Sequence, residues 1–348
     1  GTLVVAALYK FAKLDEYEAL QKPLLARCEA HNVKGILLLA PEGINGTICG
    51  QRQGIDNVVS FIRGIKGIGQ GLSYKESFVS SNTLQQGPFY RMRVRLKKEI
   101  VTLGVDGADP LKTVGTYVDP KDWNKLISRE DVVCIDTRNT YETQIGTFKG
   151  AVDPRTESFR EFPNWVSSNL DPKKNKSVAM FCTGGIRCEK ATSHLLNQGF
   201  ENVYHLKGGI LNYLKEVPSS QSLWDGECYV FDERVSVNHN LQMGSFEKCR
   251  ACRRPISEAD KKHDMFEEGV SCPQCYNQYS EEQKKRFRHR NKLVKMAKAR
   301  GDTHLGSDAR PKKMRKLREQ ELGKLADLTP DMAIAEKKKD SGDAKSSI

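Results

Sequence analysis

No stretch of this 348-residue chain approaches the roughly 20 consecutive apolar residues that a membrane-spanning helix needs. The N-terminal TLVVAALYKFAKLDEYEAL reads as a strand followed by a charged helix, not as a cleavable signal. A soluble protein without a membrane partner is expected. A cytoplasmic protein is expected, and because the chain starts at Gly1 without a methionine, a trimmed organellar one stays open. Haem, flavin, nucleotide and non-haem iron motifs are all missing. The ten cysteines are too sparse for a small disulfide scaffold, which points to a reducing compartment where thiols serve metal binding or chemistry.

The length suggests two or three domains. Of the net charge of +12, residues 281–348 hold 20 Lys+Arg against 11 Asp+Glu, or +9. Basicity is therefore mostly a property of the tail, expected to be partly disordered or helical in patches, with nucleic-acid binding a secondary reading.

Residues 1–103 alternate short apolar strands with helical patterns in the order β-α-β-β-α-β, which predicts a ferredoxin-like α+β domain. Pro23 falls inside the first helical pattern, so that helix begins just before it or kinks there. Pro41, Gly43 and Asn45-Gly46 read as turn punctuation. In RMRVRL, Arg91, Arg93 and Arg95 alternate with Met92, Val94 and Leu96, and a period of two puts three guanidiniums on one face. That face is either an exposed surface kept soluble or a stripe that tracks phosphates; no acidic residue interrupts it before Lys98.

Residues 104–114 open a Gly-, Pro- and Asp-rich linker. From 115 to 217, strands VVCIDTR, SVAMF and NVYHL separated by helical patterns predict an α/β domain with a parallel sheet. KGGI reads as a turn. Cys182 ends the apolar strand VAMF, where open α/β sheets place ligands. Thr183, Gly184, Gly185 and Ile186 can curl with their N–H groups inward up to Arg187, at the start of a helix. Amide nest, helix end and guanidinium all favour a thiolate, so Cys182 is the candidate nucleophile with Arg187 beside it. Cys188 is expected mainly to pack, with a resolving role for an oxidised Cys182 left open.

CTGGIRC, with IDTRNTYE upstream, GTFKGA between and VYHLKGGI downstream, resembles the rhodanese domain. The resemblance implies a persulfide on Cys182 held by the loop amides and Arg187, and structural support from Asp136, Arg138 and Glu142. Rhodanese-fold phosphatases place five residues between nucleophile and arginine; here Thr183 to Ile186 are four, a ring that suits sulfur or a small oxidant better than phosphate.

The flanks narrow this further. LLAPEGINGTI, RMRVRLKKEIVTLG, CTGGIRCEKA, HLKGGI, VFDERVS and a cysteine-paired extension together resemble the bacterial rhodanese-like tRNA uridine hydroxylases. That resemblance implies oxygen-dependent conversion of the wobble uridine of tRNA anticodons to 5-hydroxyuridine, with Cys182 essential and molecular oxygen as co-substrate. The thiolate would add to C6 of uracil or would itself carry activated oxygen or sulfur. An anticodon loop offers an unstacked base cheaply.

Within residues 218–280, Cys249 and Cys252 form one CxxC and Cys272 and Cys275 another, 19 residues apart, which is zinc-ribbon spacing and predicts a structural zinc site. His263 between them reads as a surface residue. The alternatives are a persulfide sulfurtransferase and a non-catalytic RNA-binding adaptor. The sequence leaves the oligomeric state unknown.

Overall fold

The computed structural model describes residues 2–80, 87–301 and 320–343. Along β1 (Thr2–Phe11), Val4, Ala6 and Leu8 face a helical layer, and Val5, Ala7 and Tyr9 point the other way. The layer is α1 (Gln21–Ala30) and α2 (Arg52–Arg63); on α2, Ile55, Val58, Val59 and Ile62 recur at helical spacing and share a core with Leu24 and Cys28 of α1. Pro23 lies in the first turn of α1, where a missing N–H costs no hydrogen bond.

β2 (Lys34–Ala40), β3 (Gly43–Gly50), β4 (Ser73–Ser80) and β5 (Met92–Leu96) complete a five-stranded sheet in the order β4-β1-β3-β2-β5. This is the expected ferredoxin-like arrangement, with β5 added at one edge, parallel to β2. Asn45-Gly46 is not a turn: both residues lie inside β3, antiparallel to β1 and β2. Gly46 is required for a different reason, since a Cβ there would fall on the carbonyl oxygen of Ile36 in β2.

The second sheet is parallel throughout, in the order β6-β10-β9-β7. Its strands and their connections run β6 (Thr116–Val118), α3 (Pro120–Ile127), β7 (Val132–Asp136), α4 (Thr140–Thr143), β8 (Gly146–Phe148), α5 (Phe162–Asn169), β9 (Ser177–Phe181), α6 (Ile186–Asn197), β10 (Asn202–Leu206) and α7 (Gly209–Glu216). Every residue of β9 is buried, as a central strand covered on both faces must be, with Ala179 and Phe181 in one core and Val178 and Met180 in the other. KGGI turns at Lys207 and Gly208, the latter with φ +76°, and then continues as α7.

After α7, β11 (Trp224–Gly226) pairs with β8, β12 (Cys228–Tyr229) with β13 (Ser236–Val237), and β14 (Glu247–Lys248) with β15 (Pro255–Ile256), followed by α8 (Glu258–Lys261). In the tail, expected to be partly disordered or helical in patches, α9 (Glu281–Ala299) is one continuous 19-residue helix, held to the preceding module by Arg288 on Glu267 (2.7 Å) and Lys295 on Glu268 (2.6 Å). The rest of the basic tail at 302–319 and 344–348 lies outside the described residues. α10 (Pro330–Asp343) follows Leu328, whose carbonyl accepts from Arg27 of α1 at 3.0 Å, so this segment returns to the first domain. Among the described residues no helix is long and apolar enough to cross a membrane.

Candidate active site

Cys182 follows β9 directly, and the backbone then turns through Thr183–Gly185 into α6. Gly185 has φ +103°, a conformation a side chain would strain. Its N–H donates to the Cys182 Sγ at 3.1 Å. The loop carbonyls are taken up by the start of α7: Ile210 N–H donates to Cys182 O at 2.9 Å and Leu211 N–H to Thr183 O at 3.1 Å. Gly209 permits this approach, because a Cβ there would meet both of those carbonyl oxygens.

Cys182 is fully buried. Burial alone pushes its pKa up, but the Cys188 thiol, the charge of Arg187 and the N–H groups of Cys188 and Gly185 outweigh it and hold the thiol at about 5. The site therefore favours the thiolate form of Cys182. Cys188, expected to pack, is indeed buried beside Thr137, with Sγ 3.6 Å from its Oγ1, yet it also donates toward the thiolate; burial and that neighbouring charge push its own pKa far up.

The supporting residues divide into two pairs. Arg138 and Asp136 are bound to each other at 2.6 Å with no exposed side-chain surface, and Arg138 also donates to Gly146 O at 2.6 Å. Glu142, which the sequence grouped with them, receives both terminal nitrogens of Arg187 at 2.6 and 2.8 Å. Thr183 Oγ1 closes the ring, donating to Glu142 at 3.3 Å and accepting from Arg187 at 3.3 Å. Arg187 thus acts on the sulfur by its charge while its hydrogen bonds go to Glu142 and Thr183. Ile186 leaves the loop and packs with Phe11, Ala40 and Ile100 of the first domain.

Several residues around the loop carried no sequence signal as site residues. Tyr9 of β1 donates to Glu189 of α6 at 2.7 Å, and Lys75 of β4 donates to Gly184 O at 2.9 Å. Lys190, one residue on, is buried between Glu42 (2.9 Å) and Glu99 of the first domain. From the extension, Phe231 lies 5.8 Å from the Arg187 guanidinium, and Arg234, paired with Asp232, donates to Ser77 of β4 at 2.7 Å. A period-two strand gives Tyr9 and Lys75 no mark; only the docking of the two domains does.

A family model described as the UPF0176 acylphosphatase-like domain matches residues 3–100, and the rhodanese-like domain model matches residues 119–216. This pairing is the architecture of the tRNA uridine hydroxylase (UPF0176) family. The chain has that architecture. Among solved structures, a rhodanese-like domain from Anabaena is 19% identical over 32% of this chain and 78% of its own, with a TM-score of 0.27. A protein of unknown function from Rhodopseudomonas palustris, described as a possible tyrosine phosphatase, is 21% identical over 34% and 93%, with a TM-score of 0.26. An arsenic–antimony reductase from Leishmania major is 18% identical over 42% and 96%, with a TM-score of 0.26.

Beyond its rhodanese loop, this chain holds a second cysteine site. The hairpin of β14 and β15 carries Cys249 and Cys252, and Cys272 and Cys275 come back to meet them with all four Sγ atoms within 4.8 Å of one another. Separations of 3.9 Å for Cys249–Cys275, 3.8 Å for Cys252–Cys272 and 3.6 Å for Cys272–Cys275 match the about 3.8 Å between thiolates around a tetrahedral zinc with Zn–S bonds of about 2.3 Å. The four residues fit a metal such as zinc. His263 is exposed and outside the cluster.

Arg91, Arg93 and Arg95 share one side of β5, with Arg91 and Arg95 exposed. Register carries this side across the sheet: Arg93 pairs with Ile36, Ile36 with Thr47, Thr47 with Ala7 and Ala7 with Lys75. Directly opposed residues point the same way, so the arginines and Lys75 stand on the same helix-free face, four strand spacings or roughly 19 Å apart.

Proposed function

We propose that this chain hydroxylates C5 of the wobble uridine in tRNA, with molecular oxygen as co-substrate and Cys182 as the essential residue. The observation that carries the reading is an ionised thiol in an amide nest, at the edge of a helix-free sheet face that also bears Arg91, Arg93 and Arg95, within the UPF0176 architecture. The thiolate is the group able to add to C6 of uracil, which moves an electron pair toward O4 and makes C5 electron-rich. Oxidation at C5 by molecular oxygen places one oxygen atom on the base, and a two-electron donor reduces the other to water; loss of the C5 proton and expulsion of the thiolate then restore the double bond. The arginine face holds the anticodon-loop phosphates, and the unstacked base reaches the loop.

Full burial of Cys182 favours a second reading of the step: a small sulfane or oxidised group carried on the sulfur, as in a sulfurtransferase. One comparison separates them. Nucleosides from the tRNA of cells lacking the protein, complemented by the wild type or by Cys182→Ser, are analysed by mass spectrometry. The hydroxylase reading expects 5-hydroxyuridine to vanish in the deletion, return with the wild type and stay absent with Cys182→Ser. An unchanged level in the deletion overturns it, and altered thiolated nucleosides in its place point to sulfur transfer.

A further inference from the structure

Lys75 sits on β4 at the junction of the two domains, and its Nζ donates to Gly184 O at 2.9 Å. That carbonyl and the N–H of Gly185 belong to one peptide unit, and the same N–H donates to the Cys182 Sγ at 3.1 Å. Amine, peptide and sulfur therefore form a single hydrogen-bonded chain across the interface. A cation on a carbonyl oxygen polarises the amide and strengthens the bond its N–H makes to an anion. The peptide joins two glycines, so no Cβ opposes its rotation, and a flipped unit would turn a carbonyl oxygen toward the thiolate.

We propose that Lys75 is a positioning residue for Cys182: its amine holds the Gly184–Gly185 peptide in the one orientation that presents the Gly185 N–H to the sulfur. The nucleophile of the rhodanese loop is in this sense completed by the ferredoxin-like domain. The groups facing Lys75 fit the task. Tyr9, whose ring centroid is 5.9 Å from Nζ, stands two residues along β1 from Ala7, the partner of Lys75, and binds Glu189 at 2.7 Å, and Ser73 Oγ is 3.5 Å from Nζ. Burial lowers the pKa of Lys75 to about 8, against the opposing pull of Cys182 and Glu189. A thiol held toward its anion and an amine thus face each other through the peptide. Lys10 and Tyr117 add further charge and hydrogen bonding around Glu189.

The test is a pH titration of the thiolate ultraviolet absorbance in the full chain, taken for each variant as the difference from the same variant carrying Cys182→Ser. Lys75→Met is expected to move the Cys182 midpoint up by about one pH unit, a roughly tenfold loss of thiolate at a pH below both midpoints. Lys75→Arg, which keeps a cationic donor, is expected to hold most of the wild-type position, and Lys66→Met on the exposed surface to leave it unchanged. Should Lys75→Met fail to fold, Lys75→Gln, one bond shorter, keeps a donor without charge, and a partial rise is expected. A midpoint unmoved in a folded Lys75→Met or Lys75→Gln overturns the proposal, as does an equal rise in Lys66→Met. The titration requires neither tRNA nor oxygen, so failure of the hydroxylase reading is scored separately.

Discussion

Glu142 and Arg187 make the tightest demand on the site, because both are buried charges whose hydrogen bonds go chiefly to each other. A buried pair contributes little over an apolar substitute, but removal of one partner leaves the other charged and unpaired. Glu142→Gln is therefore expected to cost about 3–5 kcal/mol in urea unfolding. Burial acts to raise the Glu142 pKa, yet Arg187 and Arg138 outweigh it and leave it below the usual carboxylate range. A carboxyl held low stabilises the fold above its unfolded value of about 4.3 and loses that contribution as pH falls through the folded value. Acid unfolding of the wild type should then carry a component below about pH 4 that Glu142→Gln lacks. Equal acid profiles for the two proteins would show that the pair does not set acid stability.

At the scale of elements, the cysteine cluster and α9 depend on each other. The module between β14 and α9 has a small core, essentially Cys249, Ile256, Cys272 and Cys275 with Phe266 and Tyr279 packed against it. So few apolar groups do not hold a domain of this size without a metal or similar crosslink. α9, highly charged, is anchored on this module through Glu267, Glu268 and the carbonyl oxygens of Arg250 and Gly269. Cys272→Ser is expected to remove one equivalent of zinc by elemental analysis and, in the same protein, to speed hydrogen exchange across α9 while β9 and α6 keep their protection. Full metal retention would count against the site.

For the molecule as a whole, the decisive feature is which face of the first sheet is left without helices. α1 and α2 cover one side, and the other carries Tyr9 and Lys75 against the rhodanese loop and, at its far edge, Arg91, Arg93 and Arg95. If the arginines each neutralise a phosphate of a single-stranded loop, replacing all three by Gln should reduce the slope of log K against log salt by about 2, with each contact worth about 0.7. Binding by electrophoretic mobility shift at several salt concentrations reads this directly. A slope unchanged in the triple variant would assign the stripe to solubility alone.

The sequence by itself determined the local chemistry. Alternation in β1 and RMRVRL, a wholly apolar β9, glycines where the loop needs them and paired CxxC spacing are short-range signals, each set by backbone geometry within a few residues. It misplaced Asn45-Gly46, because a glycine demanded by the closeness of a neighbouring strand reads the same as one demanded by a turn. Tertiary structure alone decided that Glu142 serves Arg187 and that Lys75 and Tyr9, more than a hundred residues away in sequence, meet the loop of Cys182. The physical reason is that a hydrogen bond between domains depends on which faces are buried together, and that choice is made by summed apolar burial over both domains and not by any residue near the bond.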